Sequence, residues 1–275
     1  MKIDAHQHFW KYNSEKHAWI DESMSVIRKD FLPEDLKPLL DHEGFDGTVA
    51  VQADESLEEN DFLLGLAKDN PWIKKVVGWV DLCSDKVEAD LEKYSDTPNM
   101  CGFRMILQGQ PPELMADNAF RKGIGLLEKF GYTYDILIFP HHLKETIDLV
   151  KSFPNQPFVI DHLAKPYIKD GKIDEWAENM RTLAGFDNVC CKVSGMVTEA
   201  DWNKWTKADL TPYMDVVFEA FGSKRLMFGS DWPVALLAAD YPQNAGIIKN
   251  YIEALSEREQ ADVLGFTAAN FYGIK

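Results

Sequence analysis

The sequence contains little cysteine, no long apolar run and few basic residues. Its 275 residues include four cysteines, and none of these forms a CxxC pair. This spacing argues against disulfides and predicts reduced thiols in a cytoplasm. No apolar run approaches the roughly 18 residues of a membrane helix, and the first residues lack the apolar stretch of a secretory signal. We therefore expect a cytoplasmic protein without a membrane partner.

Basic residues are outnumbered by acidic ones. The chain has 29 lysines and arginines against 45 aspartates and glutamates, a formal net charge of −16. Such a surface repels phosphates, which excludes non-specific binding to DNA, RNA or anionic membranes. A small anionic substrate is not excluded, because the positive charge of an arginine in the site can outweigh the repulsion from distant negative charges. The expected partner is a small molecule, and the sequence leaves the oligomeric state open.

No glycine-rich loop follows the first apolar segment. A doubly wound nucleotide-binding sheet ordinarily has a phosphate-binding glycine loop there, whereas this segment runs into His-Gln-His-Phe-Trp. What recurs instead, about every 32 residues, is a short β-branched strand pattern. It is found in eight segments: Lys2–Gln7, Asp46–Gln52, Ile73–Val80, Cys101–Leu107, Tyr132–Ile138, Pro157–Leu163, Val189–Gly195 and Arg225–Asp231. Segments with helical periodicity lie between these strands. They are Leu57–Lys68, Glu113–Phe130, Leu143–Phe153, Asp174–Leu183, Asp209–Phe221 and Asn244–Leu255.

This alternation of strands and helices predicts parallel βαβ units. Eight such units fit one (β/α)8 TIM barrel, so residues 1–275 are predicted to form a single domain, with a doubly wound sheet as the alternative. The long connection at about 9–45 is predicted to be an ordered loop that caps the barrel before a helix at Pro33–Glu43. In such barrels the active site lies at the C-terminal ends of the strands. Polar residues at those ends are therefore the candidates for function.

Two histidines, His6 and His8, end the first strand. Residues two apart on a strand point to the same face. These imidazoles therefore suit one shared metal, or hydrogen bonds to one substrate oxyanion. The alternative is that both lie on an exposed strand face. Candidates at other strand ends, His162 and Asp231, favour the functional interpretation.

Asp231 and His162 are the candidate catalytic residues. Asp231 ends the eighth strand, where a carboxylate can accept a proton from water and return it to a leaving oxygen, or can cap a turn. His162 ends an apolar run and can ligate a metal or polarise a carbonyl, with a structural histidine as the alternative. Strand alternation points Asp161 to the opposite face, so it is predicted to be structural. Lys192 and Ser194 lie at the end of the seventh strand.

Four residues are candidate substrate contacts: Arg104, Gln52, Lys165 and Trp232. A charge inside the apolar fourth strand is costly unless it is paired, and the Arg104 guanidinium offers planar donors to a carboxylate or a pair of hydroxyls. The alternative is an internal salt bridge with Asp135. For Gln52 and Lys165 the alternative is a plain surface or loop position, and for Trp232 an ordinary place in the core.

Of the remaining four histidines, His141 and His142 are interpreted as structural. His141 and His142 are predicted to open the fifth helix, and His17 and His42 are predicted to lie on the surface. The seven histidines thus divide into three at strand ends and four elsewhere.

The sequence resembles the amidohydrolase-related sugar lactonases, the L-fuconolactonases and L-rhamnonolactonases of the amidohydrolase superfamily. The motifs that carry this resemblance occur in the same order along the whole chain: Asp4–Trp10, Asp161–Pro166, Gly229–Pro233 and Phe266–Gly273. The resemblance implies that His6, His8 and His162 line the site. It also implies that Asp231 is the general base and acid and that Arg104 orients the substrate.

Members of this superfamily usually hold one or two divalent metals. The fourth strand here offers Arg104 in place of a bridging lysine or glutamate, so a two-metal site is not expected. The resemblance implies a single metal site, with zinc as the expected ion, on His6, His8, His162 and Asp231. A metal-independent enzyme is the alternative, because a lactone is already an activated ester.

The expected reaction is hydrolysis of an aldonolactone, such as L-fucono- or L-rhamnonolactone, to its aldonic acid, as part of carbohydrate catabolism. The alternatives are a dicarboxylate lactone hydrolase of the muconolactone type, a metal-dependent decarboxylase on the same barrel, and a non-catalytic binding barrel. A single arginine at the strand ends favours a neutral sugar lactone over a dicarboxylate. A carboxylate that can transfer protons, placed beside imidazoles, argues against a non-catalytic binding barrel.

Overall fold

Eight parallel strands form a nearly closed barrel. The computed structural model describes all 275 residues. The strands are β1 (Ile3–Gln7), β2 (Gly47–Val51), β3 (Ile73–Gly78), β4 (Met100–Ile106), β5 (Thr133–Leu137), β6 (Phe158–Ile160), β7 (Val189–Val193) and β8 (Leu226–Phe228). Each strand pairs with the next along the chain. Beyond the end of β8, His8 donates its backbone N–H to the Trp232 carbonyl at 2.7 Å and so joins the last segment to the first. The predicted TIM barrel is confirmed.

Helices connect the strands on the outside of the barrel. They are α1 (Pro33–Glu43), α2 (Leu57–Asp69), α3 (Val87–Glu92), α4 (Asn118–Phe130), α5 (Leu143–Ser152), α6 (Asp174–Ala184), α7 (Met196–Glu199), α8 (Lys207–Phe221), α9 (Tyr241–Ile252), α10 (Glu257–Ala261) and α11 (Thr267–Tyr272). None of them is both long and apolar enough to cross a membrane. All four cysteines are free thiols.

One predicted helix, Glu113–Phe130, is divided in the structure. A 3₁₀ turn at Pro112–Ala116 precedes α4, and Asp117 separates the two with an extended backbone. The Asp117 carboxylate accepts hydrogen bonds from the N–H groups of Ala119 and Phe120 at 2.7 and 3.3 Å. Aspartate at this position satisfies the first free N–H groups of a helix. The apolar spacing alone did not reveal this start.

The strands are apolar because they are buried on both faces, as is usual for parallel sheets covered by helices. All five residues of β2, Gly-Thr-Val-Ala-Val, are buried. The large core of 67 buried residues includes side chains of the strands and of the surrounding helices. A second cluster of ten residues joins six strands to Ala268 and Tyr272 of α11. The last helix therefore packs against side chains inside the barrel.

The connection at 9–45 contains a 3₁₀ turn (Glu22–Ile27) and the helix α1. Trp10 and Phe31 pair through two backbone hydrogen bonds of 3.0 and 2.9 Å, which fold the segment back on itself. His17 packs here between aromatic rings, stacked on Tyr12 and next to Trp10, and is only 3% exposed. The prediction that His17 lies on the surface is wrong, because this segment forms its own aromatic cluster. His42 is exposed, as predicted.

Glu59 of α2 makes the stability of the fold pH-dependent. Its buried carboxylate accepts a 3.0 Å hydrogen bond from the Ala53 N–H, and burial raises its pKa from 4.5 to about 7. The folded chain thus holds this proton more tightly than the unfolded chain does. The contribution of Glu59 to the free energy of unfolding is therefore largest below its unfolded pKa. It falls as the pH rises from there through about 7.

We expect Glu59→Gln to remove this dependence. Relative to wild type, the variant should gain about 2 kcal/mol in free energy of unfolding between pH 5 and pH 8. Urea unfolding at both values measures the gain. Glu58→Gln is the matched control, because Glu58 is the adjacent exposed glutamate of the same helix. An equal pH trend in the two variants would show that Glu59 is not the cause.

Candidate active site

The first strand brings its two histidines together inside the barrel mouth. The Nε2 atoms of His6 and His8 lie 3.1 Å apart, and both rings are buried. His8 Nδ1 is 2.8 Å from the Val51 carbonyl and donates its hydrogen there. This bond leaves a lone pair on His8 Nε2. The predicted shared face of His6 and His8 is thus present in the structure.

After β6 the chain makes a left-handed turn of four residues, His162–Lys165. Their φ angles are 52°, 54°, 58° and 49°, in a region that costs a non-glycine residue roughly 1–2 kcal/mol. The alternation of a strand does not continue through such a turn. His162, which would otherwise point outward, is therefore turned to the inner face. Asp161 precedes the turn and keeps the alternation of β6, since Val159 also lies in the interior cluster, and Asp161 Oδ1 lies 3.3 Å from His6 Nδ1. The prediction that Asp161 and His162 point to opposite faces is wrong, because the turn brings His162 to the face that Asp161 already occupies.

Contacts on two sides hold the turn in place. Trp176 of α6 donates its indole N–H to the Leu163 carbonyl at 2.7 Å, and His162 Nδ1 lies 2.8 Å from Ser194 Oγ. A Cβ on Gly195 would lie 2.6 Å from His162 Nδ1, so only glycine fits beside the ring. Burial lowers the pKa of His162 to about 4. The imidazole is therefore uncharged at neutral pH.

Asp231 also adopts a left-handed backbone, with φ of 54°. Its N–H donates to the His6 carbonyl at 2.8 Å. The preceding residue, Ser230, donates its N–H to the buried carboxylate of Asp4 at 2.8 Å, and Tyr241 of α9 donates its hydroxyl to the same group at 3.0 Å. The first strand therefore positions the carboxylate of the eighth strand end as well as its own histidines.

Three imidazoles surround the Asp231 carboxylate. Its Oδ1 lies 3.4 Å from His8 Nε2, 3.8 Å from His6 Nε2 and 3.7 Å from His162 Nε2. Burial alone would raise the pKa of Asp231, but its interactions with the three histidines lower it below its usual value. The group is thus an ionised carboxylate at neutral pH. It is able to accept a proton.

Arg104 of β4 is held by partners inside the barrel. Its Nη1 lies 3.0 Å from Asp161 Oδ2, and its Nη2 donates to the Gln52 side-chain oxygen at 2.9 Å. The predicted alternative partner, Asp135, pairs with Lys192 instead. Gln52 is fully buried and binds Arg104, so the structure does not place it in contact with substrate.

A buried charge network lies beneath the histidines. Lys192 of β7 places its Nζ 2.5 Å from Asp135 Oδ2, 3.0 Å from Asp161 Oδ1 and 3.1 Å from His6 Nδ1. Tyr272 of α11 donates its hydroxyl to Asp135 at 2.8 Å. Sequence reasoning left Lys192 without a role. The sequence does indicate buried partners for Lys192, because a lysine within an apolar strand requires buried carboxylates.

A cavity of about 160 Å³ opens above this cluster. The walls are partly aromatic and aliphatic, and the polar groups converge at one end. The lining residues are His8, Trp10, Trp19, Ala53, Arg104, Ile106, Gln108, Leu137, His162, Lys165, Asp231 and Val234. Trp232 is not among them. It packs against Phe9 and Phe31 in the core, so its predicted contact with substrate is not supported.

The donor set suits one divalent cation. Zinc–nitrogen and zinc–oxygen bonds of about 2 Å in tetrahedral geometry separate neighbouring donors by a little over 3 Å. The three atoms His6 Nε2, His8 Nε2 and Asp231 Oδ1 lie 3.1 to 3.8 Å apart. Arg104 Nη1 lies 3.3 Å from His6 Nε2, and this fixed positive charge favours one metal over two. The residues present therefore fit a single metal ion.

Known proteins share this sequence and architecture. The profile of a family described as amidohydrolase matches residues 3–274. The chain belongs to the amidohydrolase family. It is 36% identical to an L-fucono-1,5-lactonase of Burkholderia multivorans, over 100% of this chain and 96% of the relative. It is 29% identical to an L-rhamnono-gamma-lactonase of Scheffersomyces stipitis, over 50% of this chain and 47% of that relative.

The fold of this amidohydrolase is also found in a solved structure. The crystal structure of an amidohydrolase from Burkholderia multivorans with bound zinc superposes with a TM-score of 0.97, at 36% identity over the full length of both chains. The family expected from the four sequence motifs is thus confirmed.

Proposed function

We propose that this amidohydrolase hydrolyses sugar lactones, such as L-fucono- or L-rhamnonolactone, to aldonic acids. The observation that carries the proposal is the ionised carboxylate of Asp231 among three histidines at the polar end of a small cavity. Support comes from a lactonase relative that matches the chain over its full length. The aromatic wall formed by Trp10 and Trp19 suits the apolar faces of a sugar ring.

In the proposed reaction Asp231 accepts a proton as water attacks the lactone carbonyl. The bond between the carbonyl carbon and the ring oxygen then breaks, and the protonated carboxyl returns the proton to the leaving alkoxide. His162 faces the same cavity and stabilises the oxyanion of the addition intermediate. A zinc ion on His6, His8 and Asp231 would supply Lewis-acid polarisation of the carbonyl. Arg104 and Lys165 orient the hydroxyl groups of the sugar.

The dicarboxylate alternative receives less support from the site. A second carboxylate on the substrate requires a further cation in the cavity wall. Arg104 and Lys165 line the cavity, and each is already paired with a carboxylate, Arg104 with Asp161 and Lys165 with Glu199. Both lactonase relatives are named for sugar lactones. A neutral ring is therefore the better match.

A role in carbohydrate catabolism in the cytoplasm is part of this proposal. The four free cysteines support a reducing compartment. The names of the lactonase relatives support a sugar-derived substrate.

A pH-indicator screen tests the proposed reaction, because each turnover releases an acid. We expect the purified protein to acidify solutions of L-fucono-1,5-lactone or of L-rhamnonolactone faster than a sample without enzyme. Muconolactone-type substrates and aromatic acids should give no signal. Turnover of a dicarboxylate lactone without turnover of any sugar lactone would replace the proposal by its alternative.

The metal content of the purified protein is the first test of the proposed metal site. Elemental analysis should find about one zinc per chain in the wild type, and His8→Ala should bring this close to zero. His42→Ala is the matched control, since His42 lies exposed outside the site. Full activity in a metal-free wild-type sample would confine His6 and His8 to hydrogen bonding.

A further inference from the structure

The cavity wall carries two cations, and a carboxylate outside the lining neutralises each of them. Arg104 is paired with Asp161 at 3.0 Å, deep in the barrel. Lys165 is paired with Glu199 through a 3.0 Å contact from Nζ to Oε1. Asp161 and Glu199 do not line the cavity. The protein therefore presents hydrogen-bond donors to the substrate without an unpaired positive side chain.

The Lys165–Glu199 pair joins two neighbouring strand ends. Lys165 is the last residue of the left-handed turn after β6, and Glu199 is the last residue of α7 after β7. Each side chain is 16% exposed, so the pair is shielded from most solvent. The Lys165 ammonium also lies 5.8 Å from the centre of the Phe139 ring. The position of the Lys165 charge is thus fixed from several sides.

We propose that Glu199 determines the charge preference of the cavity by neutralising Lys165. This inference rests on the proposed function. A lactone enters as a neutral ring and leaves as a carboxylate, so an unpaired ammonium in the wall would hold the product. Glu199 removes that attraction while Lys165 keeps its N–H donors for hydroxyl groups. Glu199 acts through Lys165 and is a specificity-determining residue, not a catalytic one.

The physical basis is the weak screening of charges in a sheltered site. Partly buried charges a few ångströms apart interact far more strongly than charges in bulk water. Removing the Glu199 charge leaves the Lys165 ammonium facing the cavity without a counter-ion. A bound metal adds the same charge to every variant, so comparisons between variants isolate the side-chain contribution.

Calorimetric titration with L-fuconate, the acid formed from L-fucono-1,5-lactone, tests the inference. We expect Glu199→Gln to bind L-fuconate on the order of tenfold more tightly than wild type does. The gain should shrink as salt increases. The affinity for the neutral sugar L-fucose should stay the same. The double variant Lys165→Met/Glu199→Gln should lose this gain. Relative to wild type, its affinities for L-fuconate and L-fucose should fall by the same factor, because only the hydroxyl contacts of Lys165 are lost.

A matched control separates this local effect from net charge. Glu175→Gln also removes one negative charge, but Glu175 forms an exposed ion pair with Lys144 outside the cavity. It should leave L-fuconate affinity unchanged. An equal gain in Glu175→Gln and Glu199→Gln would overturn the inference, as would a lack of L-fuconate binding in every variant.

The double variant decides the question if Glu199→Gln does not fold. A tenfold loss of L-fuconate affinity in the double variant, without a loss of L-fucose affinity, would mean that Lys165 acts as an anion anchor in the wild type, which overturns the inference. The titrations do not depend on turnover. A wild type that hydrolyses no sugar lactone would therefore disprove the proposed function separately.

Discussion

Asp231→Asn is expected to lower kcat for lactone hydrolysis by about 10³-fold, because the amide cannot accept the proton of the attacking water. Asparagine is close in shape to aspartate and tolerates the left-handed backbone found at this position. The fold should therefore persist. Initial rates with L-fucono-1,5-lactone measure the loss, and thermal unfolding confirms the fold.

Two further measurements distinguish the role of Asp231 as general base from its role as metal ligand. Zinc content shows whether the variant lost its metal, since Asp231 is also one of the three donors of the proposed site. A variant that keeps its zinc and loses turnover supports the role of general base. Asp85→Asn, an exposed change of the same kind, should keep full activity. Near-normal turnover in Asp231→Asn would contradict the assignment.

The barrel could be predicted because its strands are buried on both faces and recur at even spacing. Local geometry at the strand ends could not. Asp161 and His162 read as the continuation of β6, yet β6 ends at Ile160 and a left-handed turn follows. No glycine marks that turn. It persists because Trp176 and Ser194, which lie 13 and 32 residues along the chain from their partners in the turn, hold it in place.

Candidate site residues could be named from the sequence, but their partners could not. Gln52 was expected to contact substrate and instead binds Arg104 inside the barrel. The existence of an interior charge network could be predicted. The apolar strands β4 and β7 each contain one cation, Arg104 and Lys192, and the carboxylates Asp135 and Asp161 lie in or just after the strands between them. Since buried charges require partners, this balance predicts an interior network, although it does not tell which cation pairs with which carboxylate.

Lys192→Met is expected to lower the free energy of unfolding by roughly 3–5 kcal/mol, because it leaves carboxylates buried without their cation. The ammonium is fully buried and contacts Asp135, Asp161 and His6. Asp161 keeps its pair with Arg104, so Asp135 bears most of the loss. Urea unfolding measures the change. Lys144→Met is the control, because its exposed ion pair with Glu175 is screened by solvent and should contribute little to stability.

A second variant identifies the origin of that loss. Replacing a buried ion pair by apolar side chains of similar volume is often close to neutral, whereas removing one partner is not. The double variant Lys192→Met/Asp135→Leu should therefore recover much of the stability that Lys192→Met loses. It also tests the origin of the loss if Lys192→Met does not fold. A double variant as unstable as the single one would assign the loss to altered packing in the barrel, and not to the uncompensated charge of Asp135.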